Sequence, residues 1–333
     1  MSLRLFLLPL SVVHAWWATP HMIVARAAID SGIMSPATIA SANALIKEIG
    51  SYFPASPDFV QCAPWADDLK SEGEYLEANW HFIDIPVISA DSPPPSAPPA
   101  PPPENVAWAL SEGSSVVHAA KTTLLDKSRQ LRFMVHFVGD IHQPLHAASY
   151  FSEQFPAGDA GGNAWPVAGV SYTKELHAVM DSGAGLYVDD LPRPLSPADA
   201  ATLQADAASI IAEHPRDAPD IAPLIAVWPP AAWANESVAL AESFVYTAPQ
   251  APTPLPAKWI AAAQALSRRQ IAIAAYRLAY QVEYLLGAAH RESAEDRLAA
   301  WAREAEEQLR AAERARREPE LRAHQPRLRA GRN

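Results

Sequence analysis

The chain of 333 residues is poor in several things, and each shortage excludes something. It has one cysteine, Cys62, so no intrachain disulfide can hold it together. Lys and Arg number 26 against 37 Asp and Glu, a formal net charge of −11. A protein that grips nucleic acid by a broad basic surface shows the opposite balance. If this chain handles phosphate, a local charge must do so. Runs that alternate polar and apolar residues are scarce, which argues against a β fold. No apolar run after residue 287 is long enough for a bilayer-spanning helix.

What is present reads as helix. The first fifteen residues, MSLRLFLLPLSVVHA, hold one basic residue, a short apolar run and a closing small residue. That is a secretory signal pattern, with cleavage expected after Ala15 and Trp16 as the new N-terminus. The alternative is a buried N-terminal helix. An exported protein without disulfides needs another staple, and a metal is the obvious candidate.

Helical spacing of apolar residues follows in HMIVARAAID and in SPATIASANALIKEIGSYF, where Ser35 is placed to cap. Residues 92–103, SPPPSAPPAPPP, predict an extended surface insertion. Helical patterning resumes from Asn105 as far as Gln143. A Gly-rich loop, 156–170, leads into TKELHAVMDSGAGLY, and two later helices are expected around 230–248 and 256–289. From 289 to 333 the chain is charged and poor in large apolar residues, a solvated tail. The expected fold is all-α, one mainly helical domain over 16–288 plus that tail.

The chemistry sits in HFVGDIHQPLH, residues 136–146. His136 and Asp140 are four apart and share a helix face. His142 falls on another face, and His146 lies beyond Pro144, where the helix must kink or end. His177 and Asp181 repeat the four-residue spacing. Upstream stand His21, Asp67 and His81 on apolar segments. One such pair alone reads best as a buried His–Asp hydrogen bond. So many titratable groups in apolar context are costly to bury without a metal. Histidine with carboxylate suits zinc or a similar divalent ion.

These pieces carry a resemblance. WWATPHMIVARAA, WADDLK, WHFIDIP, FMVHFVGDIHQPLHAA, GGN, LHAVMDSG and AAYRLA occur in one order from residue 16 to about 287. Together they resemble the zinc-dependent type I nucleases, the fungal and plant single-strand-specific nucleases and the trypanosomatid 3′-nucleotidase/nucleases. The resemblance implies three zinc ions. One would be held by Asp67, His81, His136 and Asp140, a second by His146, His177 and Asp181. The third would take the α-amine and carbonyl of Trp16 with His21 and a shared Asp140. Three Zn²⁺ bring about +6 against −3 from the aspartates, a locally cationic site on an acidic protein. The implied reaction is cleavage of the 3′ O–P bond of single-stranded DNA, RNA and 3′-nucleotides. Its products are 5′-phosphate ends, or nucleoside plus phosphate.

The resemblance also implies roles for Lys70 beside the phosphate, Phe82 as a stacking surface for a base, and Asp84 as an acid near the base and the attacking water. Each has a plainer reading: surface lysine, core phenylalanine, helix-end cap. Asn163 in GGN is a loop residue near the site. Glu175 stands where the family often has an asparagine that contacts phosphate, which puts rate and substrate preference in doubt. His118, His214, His290 and His324 read as structural or exposed. Asn235 in NES is an N-glycosylation sequon inside an expected helix. The rival readings are a zinc phospholipase C, which this chain departs from by having Asp181 in the last pair, and a zinc protein whose cluster is only structural. A secreted or lumenal protein with no membrane span and no stable protein partner is expected.

Overall fold

A computed structural model describes residues 16–287. The expected signal segment 1–15 and the expected tail, with His290 and His324, lie outside the described residues. Among the described residues the elements are α1 (Ala18–Asp30), α2 (Pro36–Lys47), α3 (Trp65–Ser71), β1 (Ile85–Ile88), α4 (Val106–His118), α5 (Leu124–Asp140), α6 (Pro144–Ala147), β2 (Ala148–Phe151), α7 (Leu176–Asp181), α8 (Pro197–Glu213), α9 (Ala222–Ile225), α10 (Pro230–Ser243) and α11 (Ala257–Leu286). Short 3₁₀ turns occupy Gly50–Tyr52, Ala78–His81 and Val245–Thr247. The mainly helical expectation holds.

α5 is the central element. It packs on α4, α2, α3 and α11, while α1 packs on α11 and α8. Its whole C-terminal half, from Leu131 to Asp140, is buried. A helix buried on all sides has to be apolar except where its polar groups have partners, which is the pattern of FMVHFVGD. Phe133, Phe137 and Val138 join the main core with Trp65, Met22, Ile23 and Ile271. A second apolar cluster, including Leu145, Trp165, Leu176, Val179, Tyr246 and Trp259, supports α6 and α7.

The start of α2 follows the local signal in the sequence. Ser35 accepts the Thr38 amide at 3.2 Å, with Pro36 at the first helical position. Three details go beyond the sequence pattern. The patterned stretch 105–143 divides into two helices. α4 stops at His118, and α5 restarts after Thr123, whose hydroxyl accepts the Asp126 amide at 3.1 Å. The chain also forms one parallel pair among the described residues, β1 with β2, registering Ile85 on Ala148 and Ile88 on Phe151. And α8, begun by Ser196 and Pro197, is not among the helices that the apolar pattern predicts.

Residues 92–103 contain no helix or strand and none is buried. The ends of this segment are tied down. Ser92 O accepts the Glu153 amide and Pro102 O accepts the Asn105 side chain. No helix among the described residues is long and apolar enough to cross a membrane.

Candidate metal centre

The last turn of α5 and the loop after it bring the expected residues together. Three groups each place their ligand atoms within 4.8 Å of one another. They are His21, His136 and Asp140; Asp67, His81 and His136; and His146, His177 and Asp181. His136 belongs to two of them, so the first two groups meet at that residue.

Each element presents its residue for a local reason. His21 sits on α1, one turn in. Its ring stacks on that of His136 with centroids 3.9 Å apart. Asp67 comes from the first turn of α3. His81 ends the 3₁₀ turn that leads toward β1. Pro144 opens α6, so the chain restarts as a helix and turns His146 inward. The parallel ladder then ties the two halves, since Ile83 N donates to His146 O at 2.9 Å.

Ring orientation is set by backbone carbonyls. Nδ1–H of His136 donates to Ala63 O at 2.6 Å, that of His146 to His81 O at 2.8 Å, and that of His177 to Gly161 O at 2.6 Å. In each ring this leaves Nε2 as the lone-pair nitrogen facing the cluster. The Gly-rich loop serves His177 directly. Gly161 has φ +61°, and a Cβ there would meet Leu145 O at 2.5 Å. That close approach requires glycine.

The polar atoms so aimed are buried and lack protein hydrogen bonds among the described residues. They include both ring nitrogens of His21, Nε2 of His146 and His177, and Oδ1 of Asp140. Buried polar atoms left unpaired are rare and costly. Imidazole nitrogen with carboxylate oxygen is the donor set of zinc and related divalent ions. The residues present therefore fit a divalent metal cluster.

Electrostatics agree. Burial pushes the Asp140 carboxyl up, but His136 and His146 outweigh it and hold it well below the usual range. For Asp67, burial is outweighed by Lys70, His136 and His81, and its pKa falls. Lys70 Nζ is 2.6 Å from Asp67 Oδ1. Burial and Lys70 depress His81 to about 4. Burial lowers His146, yet Asp140 and Asp181 carry it up to about 9.

The other expected residues fall around this cluster. Phe82, half-buried, follows His81 directly. Asp84 has φ +55° and links the 3₁₀ turn to β1, so it is not a helix cap. Burial and the neighbouring Asp159 push its carboxyl up to about 7. Asn163 spends its side-chain amide on Ala160 O at 2.7 Å, within the Gly-rich turn. Glu175 is the residue before α7 and makes no ion pair among the described residues, with Lys174 or otherwise. Trp16 is buried, and the next residue's amide, Trp17 N, donates to Asp181 O at 3.2 Å.

His142 does not face the cluster. Its Nδ1–H donates to Val138 O at 2.6 Å, and its Nε2 accepts from Arg277 Nη1 at 2.8 Å. His118 ends α4, away from these groups. The Asn235 sequon lies within α10, and the Ser237 hydroxyl it needs is buried, donating to Ile141 O at 2.6 Å. Sequence reasoning missed Gln143, whose amide reaches Asp181 at 2.7 Å. An uncharged side chain between two histidines carries no signal of its own.

With this geometry in view, comparison with known proteins is informative. The family model of the S1/P1 nucleases matches residues 16–287. Nuclease P1 of Penicillium citrinum is 32% identical over 181 residues, covering 50% of this chain and 57% of that protein. Nuclease S1 of Aspergillus oryzae is 28% identical over 179 residues, covering 51% of this chain and 55% of that protein. The chain thus spans a little over half the length of the curated relatives it matches.

Proposed function

The chain belongs to the S1/P1 nuclease family, and on that premise we propose that it is a zinc-dependent phosphoesterase. Its substrates are single-stranded nucleic acid and 3′-nucleotides, cut at the 3′ O–P bond. The observation that carries this reading is the set of three buried His/Asp groups, two of them joined at His136. The proposed ligands are Asp67, His81, His136 and Asp140; His146, His177 and Asp181; and His21 with Asp140 and the main chain of Trp16. The count of three zinc ions belongs to this proposal, as does the signal peptide, whose removal frees the α-amine of Trp16. The buried Trp16 ring and its five-residue spacing to His21 support that placement. A secreted or lumenal location follows from the same reading.

When bound, zinc supplies Lewis acidity and makes water a nucleophile near neutral pH. The protein's own residues do the rest. Lys70, held against Asp67, binds the phosphate oxygens. Phe82 offers a ring on which a base stacks, worth about 1–3 kcal/mol per base and indifferent to sequence. Stacking requires an unpaired base, which selects single strands. Asp84, with its carboxyl near neutrality, can hold or release a proton beside the reacting phosphate. Asn163 shapes the loop that holds His177, next to the substrate. Glu175 stands at the start of α7, two residues before His177, and its carboxylate opposes an incoming phosphate. That residue is the one feature favouring a cluster that is only structural.

The test is phosphate release from 3′-AMP and 5′-AMP, with end analysis of a short single-stranded oligonucleotide, with and without zinc. Zinc-dependent attack on 3′-AMP and the oligonucleotide, leaving 5′-phosphate ends and 5′-AMP intact, is expected. Full zinc occupancy with no turnover on any of them would overturn the catalytic reading. Turnover of a phosphocholine lipid instead would move the chain to the phospholipase branch.

A further inference from the structure

Gln143 is fully buried, and its two amide ends do different work. It precedes Pro144 with an extended backbone, φ −82° and ψ 117°, the conformation a following proline favours. Its Oε1 accepts the Leu145 amide at 2.6 Å, which caps α6. An amide oxygen only accepts and an amide nitrogen only donates. That cap therefore decides what the other end can be. Nε2 must donate, and it does so to Asp181 Oδ1 at 2.7 Å.

α6 carries His146, and Asp181 closes α7. One uncharged side chain thus sets two of the three donors of the His146–His177–Asp181 group. Oδ1 of Asp181, which accepts from Gln143, lies 3.7 Å from His146 Nε2, while Oδ2 faces His177 Nε2 at 3.2 Å.

Gln143 itself cannot drift, because the turn that carries it is clamped. Ser237 Oγ donates to Ile141 O at 2.6 Å, and Gln270 Nε2 donates to His142 O at 3.1 Å. The His142 ring is locked between Val138 O and Arg277. Arg277 in turn donates to Leu224 O at 2.7 Å and pairs with Glu236 at 2.8 Å. α10 and α11 supply none of the proposed ligands, yet they fix the turn that carries Gln143.

We propose that Gln143 is a positioning residue of this zinc group. Its amide nitrogen holds Asp181 with Oδ2 turned to His177, and its amide oxygen holds α6 so that His146 stays within the same group. This rests on the zinc reading above. Groups that orient metal ligands in this way alter metal affinity by roughly 10- to 100-fold when changed.

Gln143→Glu separates the two tasks. The carboxylate still accepts the Leu145 amide, but it sets oxygen against oxygen at Asp181. Gln143→Met keeps the volume and supplies neither group. Both are made in the full chain, dialysed against zinc alone, and followed by metal analysis and chelator competition. In each variant one zinc is expected to bind about 10- to 100-fold more weakly, the others and the helical circular dichroism staying as in the parent. Gln143→Met is expected to lower the melting temperature as well, because the α6 cap is gone. Parent-like zinc content and affinity in either variant would overturn the proposal, as would tighter zinc binding by Gln143→Glu. A parent protein that binds no zinc would sink the metal reading instead, so the two failures are distinguishable.

Discussion

The imidazoles of His21 and His136 lie face to face, 3.9 Å between centroids and 17° between planes, with His21 against the backbone of Gly139. A Cβ at Gly139 would come within 2.6 Å of His21 Nδ1. In a helix, alanine is favoured over glycine by about 1 kcal/mol, so Gly139→Ala should not harm α5 itself. It should push the His21 ring off His136 and open the group these two form with Asp140. Zinc content is expected to drop while helical circular dichroism persists. A variant with parent zinc content and parent activity would show that His21 has room to move.

The raised pKa of His146 gives a pH signature to the metal-free protein. Burial lowers it, but Asp140 and Asp181 raise it to about 9, above the unfolded value of 6.5. The stabilisation from its protonated form is complete below about 6.5 and is lost as pH rises to about 9. Zinc acts in the other direction, since it must displace that proton and binds more tightly as pH rises. The melting temperature gained on adding zinc to chelated protein should therefore grow between about pH 6.5 and 9. Scanning calorimetry across that window would check this. A gain independent of pH would contradict it.

Arg132 predicts a pure stability effect. It is fully buried, donates to Ile46 O at 2.7 Å and Ser56 O at 3.1 Å, and lies over Phe53 and Trp65. No carboxylate pairs with it among the described residues, so its work is to satisfy two carbonyls and fill the space between them. Arg132→Met should cost about 1–2 kcal/mol, since two buried carbonyls lose their donor while a guanidinium whose Nε and Nη1 have no partner is removed. Turnover per folded molecule should be unchanged. A denaturant melt and an assay on the same sample would separate the two.

How much of this could be read from the sequence follows a physical line. The expectation of a metal was legible because histidine–aspartate pairs repeated on apolar helices are costly to bury otherwise, while the assignment of ligands to sites rests on the family resemblance. The break between α4 and α5 was not read, although Thr123 three residues before Asp126 is a local cap signal inside an otherwise continuous pattern. The parallel strands were not. Each is four residues long, and what makes them strands is each other, brought together from distant parts of the chain. α8 is hard to read because its alanine-rich run has weak apolar periodicity, although Ser196 and Pro197 announce its start. Gln143 gives no signal because its partner, Asp181, is 38 residues away and its own type is neutral.

Glu175 offers the most direct test of the substrate side. Its carboxylate is two residues from His177 and has no ion-pair partner among the described residues. Two like charges about 4 Å apart in water repel by about 1 kcal/mol, roughly fivefold in binding. Glu175→Asn should lower KM for an oligonucleotide by about threefold to tenfold, with zinc content unchanged. Steady-state kinetics with metal analysis would decide. A fall in zinc content would mark Glu175 as a ligand rather than an obstacle.

The carbonyls that hold the histidine rings come from a particular set of places. His136 is held by Ala63, two residues before the helix that carries Asp67. His146 is held by the carbonyl of His81, itself a donor of another group. His177 is held by Gly161, whose turn presses on Leu145 beside His146. None of these three rings is steadied by its own neighbourhood. Each depends on a carbonyl from a remote segment, so the order of a group is borrowed from the fold around it. For the same reason, transplanting one of its segments into another helical scaffold would carry over the residues without the order that makes them a site.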